Sequence, residues 1–131
     1  MKEIVGNLWS YHDKKEWIII PTNGDTKVNK EAVMGAGVAK QAAEKFTDLP
    51  KQLGLLLPEF GNIPFIFTDY QLITFPTKNH WRDKSSLLLI ENGLKIIFSW
   101  FQDKAFCEQV PRIYSPRIGA GLGGLDWETE V

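Results

Sequence analysis

Four apolar residues in a row without alternation, Trp17-Ile18-Ile19-Ile20, constrain this chain more than any other stretch. A strand with one wet face alternates apolar and polar side chains. A run that does not alternate has both faces covered, the condition of a strand inside a parallel sheet with helices on either side. Pro21 is expected to close this strand. Ile4 and Val5 read as the end of an earlier strand broken by Gly6, and residues 11–16 as a polar connector that leaves His12 in solvent. Val38, Ala39, Ala42, Ala43 and Phe46 then recur at helical spacing, with Lys40, Gln41, Glu44 and Lys45 on the other side. A second short helix is predicted over residues 48–57, stopped by Pro58. Residues 65–68 and 71–75 read as two strands around an Asp69-Tyr70 turn, and residues 76–85 as a polar segment. Leu87, Ile90, Leu94, Ile97 and Phe101 mark another helix, weakened by Gly93, and residues 110–114 a last strand. Strands alternating with helices predict an α/β fold, in one domain over residues 1–131.

Composition narrows the function classes. Apolar residues make up 44% of the chain, enough for one core, and the formal net charge is −1. Binding nucleic acid mainly by neutralising phosphates calls for a basic protein, so only a local basic patch could meet a nucleic-acid substrate here. The single cysteine, Cys107, can form no internal disulfide and reads as a small buried hydrophobe. No metal is implied, because no cluster of His, Asp or Glu has ligand spacing. The first nine residues contain no apolar signal-peptide stretch, and runs such as residues 87–90 are far too short for a bilayer. A cytoplasmic protein with no membrane partner is expected.

Two glycine clusters follow predicted buried strands: Gly35-Ala36-Gly37, leading into a helix, and Gly119-Ala120-Gly121-Leu122-Gly123-Gly124. In open α/β sheets ligands bind beyond the carboxyl ends of the strands, and free N–H groups at a helix start attract anions. Glycines let backbone amides come close to a diphosphate. Either cluster alone is most often just a tight turn; two at strand ends in one small domain favour phosphate binding. Neither ends in the Gly-Lys-Ser/Thr of a P-loop. The second matches GxGxxG in letters, but comes too late in the chain to open a dinucleotide-binding unit.

Four ordered motifs, Thr22-Asn23, Val33-Met34-Gly35-Ala36-Gly37-Val38-Ala39-Lys40-Gln41, Phe75-Pro76-Thr77-Lys78, and Pro116-Arg117-Ile118-Gly119-Ala120-Gly121-Leu122-Gly123-Gly124-Leu125-Asp126-Trp127, resemble macrodomains. They are most similar to the branch holding the DNA-ADP-ribose hydrolases of toxin–antitoxin pairs and the terminal ADP-ribose hydrolases. The resemblance runs over nearly the whole chain. It implies a three-layer α/β/α fold with a mixed, mostly parallel central sheet and a cleft for ADP-ribose, working without a cofactor.

The resemblance also implies roles. Residues Val33, Met34, Gly35, Ala36, Gly37 and Val38 would wrap the diphosphate and distal ribose. Pro116, Arg117, Ile118, Gly119, Ala120, Gly121, Leu122 and Gly123 would close the other side. Gly6, Asn7 and Leu8 would lie beside the adenine, with the Asn7 amide oxygen as acceptor where many macrodomains have an aspartate. Thr22 and Asn23 would sit near the distal ribose; from the residues alone, Asn23 reads equally as an Asx turn after a strand. Thr77 and Lys78 belong to the motif in which a lysine serves catalysis. A lysine can attack an anomeric carbon, form a Schiff base with an opened sugar, or act as a cation on the leaving group; the alternative is a solvated loop lysine. Gly123 stands where some relatives carry an acid–base aspartate, which favours a lysine-dominated mechanism over a lysine–aspartate pair.

His80-Trp81-Arg82, close behind Lys78, could stack a base or hold a phosphate, although Trp81 anchoring a surface loop to the core is the plainer expectation. Three functions stay open. They are hydrolysis of ADP-ribose from a modified acceptor, nucleic acid included; reading ADP-ribose without turnover; and hydrolysis of a phosphate or acyl ester of ADP-ribose. Asp126 reads as an N-cap, and residues 127–131 supply barely one helical turn, so the usual C-terminal helix and strand of the family are not in this sequence. Two expectations follow: the sequence is cut short of a longer chain, or self-association covers the gap.

Overall fold

The computed structural model describes residues 7–118. The expected first strand, Gly6 and everything from Gly119 on, including the second glycine cluster, lie outside the described residues. β1 (Trp17–Asn23) is the strand that the apolar run predicts, and its first four residues are all buried. It is flanked in parallel by β3 (Leu72–Lys78) on one side and β4 (Ile113–Tyr114) on the other. β2 (Phe65–Phe67) pairs antiparallel with β3, giving the order β2-β3-β1-β4, a mixed and mostly parallel sheet.

Alternate residues of β1 feed two separate cores, as strand geometry requires. Ile18 and Ile20, with Leu72, pack against Trp9 of α1 (Leu8–Asp13), Ala42 of α2 (Gly37–Lys45) and Leu49, Leu53 and Leu57 of α3 (Leu49–Phe60). Trp17 and Ile19, with Ile73 and Phe75, pack against Ile90 and Ile97 of α4 (Leu87–Trp100), and Phe106 of α5 (Lys104–Gln109) borders them. The result is three layers, α/β/α, as expected.

Two helices approach so closely that only glycine fits at the contact. A Cβ on Gly93 of α4 would lie 2.7 Å from the ring of Phe75, so the residue that weakens the helix by propensity is the one that lets it settle on the sheet. A Cβ on Gly54 of α3 would lie 2.0 Å from the carbonyl oxygen of Lys30. The Ala32 N–H also donates to the Pro50 carbonyl at 2.8 Å, so α3 grips the segment that leads into the first glycine turn.

Several boundaries differ from expectation. β1 runs through Pro21 to Asn23. β4 pairs only with Trp17 and Ile18, so no described strand on that side needs the N–H that Pro21 lacks. β3 likewise runs through Pro76 to Lys78, which puts Lys78 at a strand end rather than in a polar loop. α3 continues through Pro58, exposed and near the last turn, to Phe60, and Gly61 at φ 90° ends it. The supposed connector 11–16 begins as the last part of α1, capped by the Asn7 side chain, which accepts from the Trp9 N–H at 2.9 Å. His12 is therefore partly buried, with Nε2 2.7 Å from the Tyr70 carbonyl oxygen. Val110 belongs to the end of α5 rather than to a strand. Cys107 is only half-buried, its thiol donating to the Phe101 carbonyl at 3.0 Å.

Candidate functional site

β1 and β3 are adjacent and parallel, so their carboxyl ends emerge side by side, where ligands of such sheets bind. The register shifts by one residue there: Thr22 is opposite Pro76, and Asn23 opposite Lys78. Thr77 is the extra residue of this bulge; it is buried, and its hydroxyl lies 3.5 Å from the carbonyl oxygen of Thr22, itself a buried residue. A bulge re-aims side chains at a strand end. Here it sets half-buried Lys78, rather than Thr77, beside Asn23. Asn62 fixes the backbone at this point, its amide donating at 3.1 Å to both the Lys78 carbonyl and Asn79 Oδ1. The Gly24 N–H to the Asn79 carbonyl, 2.9 Å, carries the pairing one step further.

Asn23 ties the strand end to the glycine turn. Its Oδ1 accepts from the Asp25 N–H at 2.9 Å, the expected Asx turn, and its Nδ2 donates to the Val33 carbonyl at 3.2 Å. Beyond Val33 the Met34 side chain is buried in the core, whereas Gly35, Ala36 and Gly37 are exposed. Gly37 opens α2 at φ +57°, a conformation that favours glycine, and a Cβ on Gly35 or Gly37 would meet nothing within 4 Å among the described residues. Among the described residues no side chain caps α2. The helix therefore presents its first-turn N–H groups, with the positive end of its dipole, to a space that no described residue fills, and the Asn23–Val33 hydrogen bond ties the segment leading into this turn to the end of β1.

The other expected residues fall around this opening in different ways. β4 is parallel to β1, so Ser115, Pro116, Arg117 and Ile118 leave the sheet from the same end; Ile118 is buried in the α4-side core and Arg117 is exposed. Asn7 caps α1, and Leu8 packs against the core on the α2 and α3 side. The roles expected for Gly6 and for Gly119, Ala120, Gly121, Leu122 and Gly123 lie outside the described residues.

Asp25 is the residue that reading the sequence missed. One carboxylate oxygen lies 2.8 Å from His80 Nδ1, and the other accepts from the Trp81 N–H at 2.8 Å. The Trp81 N–H holds the Asp25 carboxyl below the usual range; burial opposes this and His80 adds to it. The hydrogen bond to Asp25 raises the His80 imidazole above its usual value. The loop after β3 is thus pinned to the loop after β1. Trp81 is not an anchor to the core as expected: it is 55% exposed. With Asp25, Thr26, Val33, His80, Arg82 and Asp83 it lines an open cavity of about 480 Å³. Asn-Gly-Asp after a strand was the local hint for Asp25; nothing local marks Asn62. Among the described residues no three His, Cys, Asp or Glu side chains gather where a metal ion could sit, and no helix is long and apolar enough to cross a membrane.

No family model matches the chain. Individual relatives do. A DNA ADP-ribosyl glycohydrolase of Thermus aquaticus is 36% identical over 110 residues, covering 76% of this chain and 29% of the relative. A DNA ADP-ribosyl transferase–DNA ADP-ribosyl glycohydrolase fusion protein of Thermosipho africanus is 32% identical over 124 residues, 76% of this chain and 31% of the relative. The chain thus spans about a third of the length of the curated relatives it matches. Among solved structures, the macrodomain of Mycobacterium tuberculosis DarG superposes with a TM-score of 0.69 at 27% identity, covering 86% of this chain and 74% of the other. The macrodomain of Thermus aquaticus DarG gives 0.64 at 31% identity with the same coverages. Thermosipho africanus DarTG in complex with ADP-ribose gives 0.66 at 25% identity, over 87% of this chain and 32% of the other.

Proposed function

This chain belongs to the macrodomain family, as a member of the DarG type, and we propose that it binds ADP-ribose and hydrolyses the glycosidic bond joining ADP-ribose to DNA. The observation that carries the proposal is the placement of Asn23 and Lys78 as neighbours at two parallel strand ends, with Asn23 bonded to the segment that leads into a glycine turn no described side chain caps. An ADP-ribosyl acceptor site needs donors for a diphosphate and a reactive group at the distal ribose. The turn supplies the first and Lys78 the second. The names of the relatives support the same reading.

In this reading the backbone of Gly35, Ala36, Gly37 and Val38 holds the diphosphate, Asn23 faces the distal ribose, and Asn7 lies toward the adenine. The Lys78 nitrogen attacks the anomeric carbon and gives up a proton as the new bond forms. The acceptor leaves with the bonding electrons and takes up a proton. Water then releases ADP-ribose and restores the amine. Asn62 and the bulge are positioning elements, fixing the Lys78 backbone relative to Asn23. The reaction needs only water as its second reactant, so it calls for no cofactor. A cytoplasmic site of action follows from a DNA substrate.

Calorimetric titration with ADP-ribose, followed by turnover of an ADP-ribosylated single-stranded oligonucleotide, tests the proposal. Binding together with release of ADP-ribose by the wild type, and binding without release by Lys78→Ala, is the expected result. No binding by the wild type overturns the reading. Binding without turnover would make the chain a reader of ADP-ribose.

A further inference from the structure

The cavity beside the strand ends is not used by the chemistry above, and its walls have a particular make-up. Trp81 comes three residues after Lys78 and is more than half exposed. A single exposed apolar side chain is ordinary on a protein surface. This one stands on a backbone that is held in place. Both oxygens of Asp25 engage its loop, through His80 and through the Trp81 N–H. Asp25 is itself held by Asn23, the partner of Lys78, and its carbonyl accepts from the Val33 N–H at 3.0 Å. The guanidinium of Arg82 stands 5.2 Å from the centre of the indole ring, within cation–π range. An indole on a pinned loop, an adjacent cation and a cavity of about 480 Å³ therefore lie next to the strand ends that carry Asn23 and Lys78.

Aromatic faces that stack bases, together with cations that follow the backbone, are how proteins hold single-stranded nucleic acid with little regard to sequence. The chain as a whole is slightly acidic, so a local device of this kind is what could engage a nucleic-acid strand. We propose that the segment from His80 to Asp83 forms a nucleobase subsite, in which Trp81 stacks on the base next to the ADP-ribosylated nucleotide and Arg82 meets the phosphate between them. The inference rests on the proposed function and names the part of the substrate that ADP-ribose alone lacks. Asp25 then serves the subsite as a positioning residue, ordering the stacking loop and fixing it relative to Asn23.

The test compares an ADP-ribosylated single nucleoside, a short ADP-ribosylated single-stranded oligonucleotide and an ADP-ribosylated peptide, with wild type, Trp81→Ala, Trp81→Phe and Arg82→Ala. Stacking of one base predicts a KM about tenfold lower for the oligonucleotide than for the nucleoside in the wild type. Trp81→Ala abolishes that difference, Trp81→Phe keeps most of it, and Arg82→Ala makes KM for the oligonucleotide more salt-independent. Calorimetry with free ADP-ribose separates the two levels of the argument. If the wild type does not bind ADP-ribose, the function reading fails and the subsite falls with it. If it binds and turns over, but Trp81→Ala leaves the oligonucleotide preference intact, the subsite alone is overturned. Loss of ADP-ribose affinity in Trp81→Ala would assign the indole to the ADP-ribose pocket instead. Equal Trp81 dependence for the peptide would assign the loop to protein chains. Either result overturns the nucleobase subsite.

Discussion

Asn23 and Lys78 are register partners only because Thr77 is bulged out of the ladder between β1 and β3. The amide and the amine are thus set by backbone pairing, with Asn62 holding the Lys78 carbonyl from the far side. Replacing Lys78 should remove chemistry without removing the fold. Lys78→Ala is expected to lower kcat by about 100-fold or more, with the melting temperature and ADP-ribose affinity nearly unchanged. Single-turnover assays and calorimetry on the same preparation check this.

The pinned loop makes a pH prediction. Asp25 is held below the ordinary carboxyl value of 3.8, chiefly by the Trp81 N–H. His80 is raised above the ordinary 6.5, chiefly by its hydrogen bond to Asp25. The part due to His80 is therefore complete below pH 6.5 and fades as pH rises through its elevated folded value. The part due to Asp25 is complete above pH 3.8 and fades as pH falls through its depressed folded value. The loop should be best ordered between those limits. Titration of the His80 ring by NMR should show a midpoint above 6.5 that moves back toward it in Asp25→Asn.

Gly37 carries both a backbone and a ligand requirement. Its φ of +57° costs a β-branched residue about 1–2 kcal/mol, and a side chain there projects into space that no described residue fills. Gly37→Val should lower stability by about that amount and abolish ADP-ribose binding, as denaturant unfolding and calorimetry would register.

Thr74 is fully buried in β3, and its hydroxyl has no hydrogen-bond partner among the described residues. Leaving such a group unpaired costs about 1–3 kcal/mol, and valine fills nearly the same volume. Thr74→Val should stabilise the fold by about 1 kcal/mol or more, read from urea unfolding, with ADP-ribose affinity unchanged.

What the sequence revealed follows the range over which each signal acts. β1 was legible because its unbroken apolar run is short, rich in β-branched Ile and followed by a proline, and α2 and α4 because they are long enough to show a 3.6-residue period. α1 and α5 are six residues each, too short for a period, and neither was read from the sequence; their caps, Asn7 and Asp103, show only in the structure. Pro21 and Pro76 suggested ends of strands, because whether a missing N–H matters depends on the neighbouring strand. Within the site, the glycine turn, Asn23 and Lys78 sat in local motifs. Asp25 finds its partners 55 and 56 positions away, and Asn62 reaches 16 and 17 positions forward. No local pattern encodes such contacts.

Gly54 should not tolerate even a methyl group. Alanine favours a helix over glycine by about 1 kcal/mol, but its Cβ would stand 2.0 Å from a backbone carbonyl that cannot swing aside. Gly54→Ala should therefore cost about 1–3 kcal/mol net and weaken ADP-ribose binding by shifting residues 30–32. Thermal melts with and without ADP-ribose check both parts.

That contact between Gly54 and Lys30 also limits how sequences of this kind can diverge. A larger residue in the helix becomes tolerable only if the loop feeding the glycine turn is rebuilt in the same lineage, by a change of length or path. Descendants of such a chain should therefore keep the bare helix position, or alter both segments together and their grip on the ligand with them.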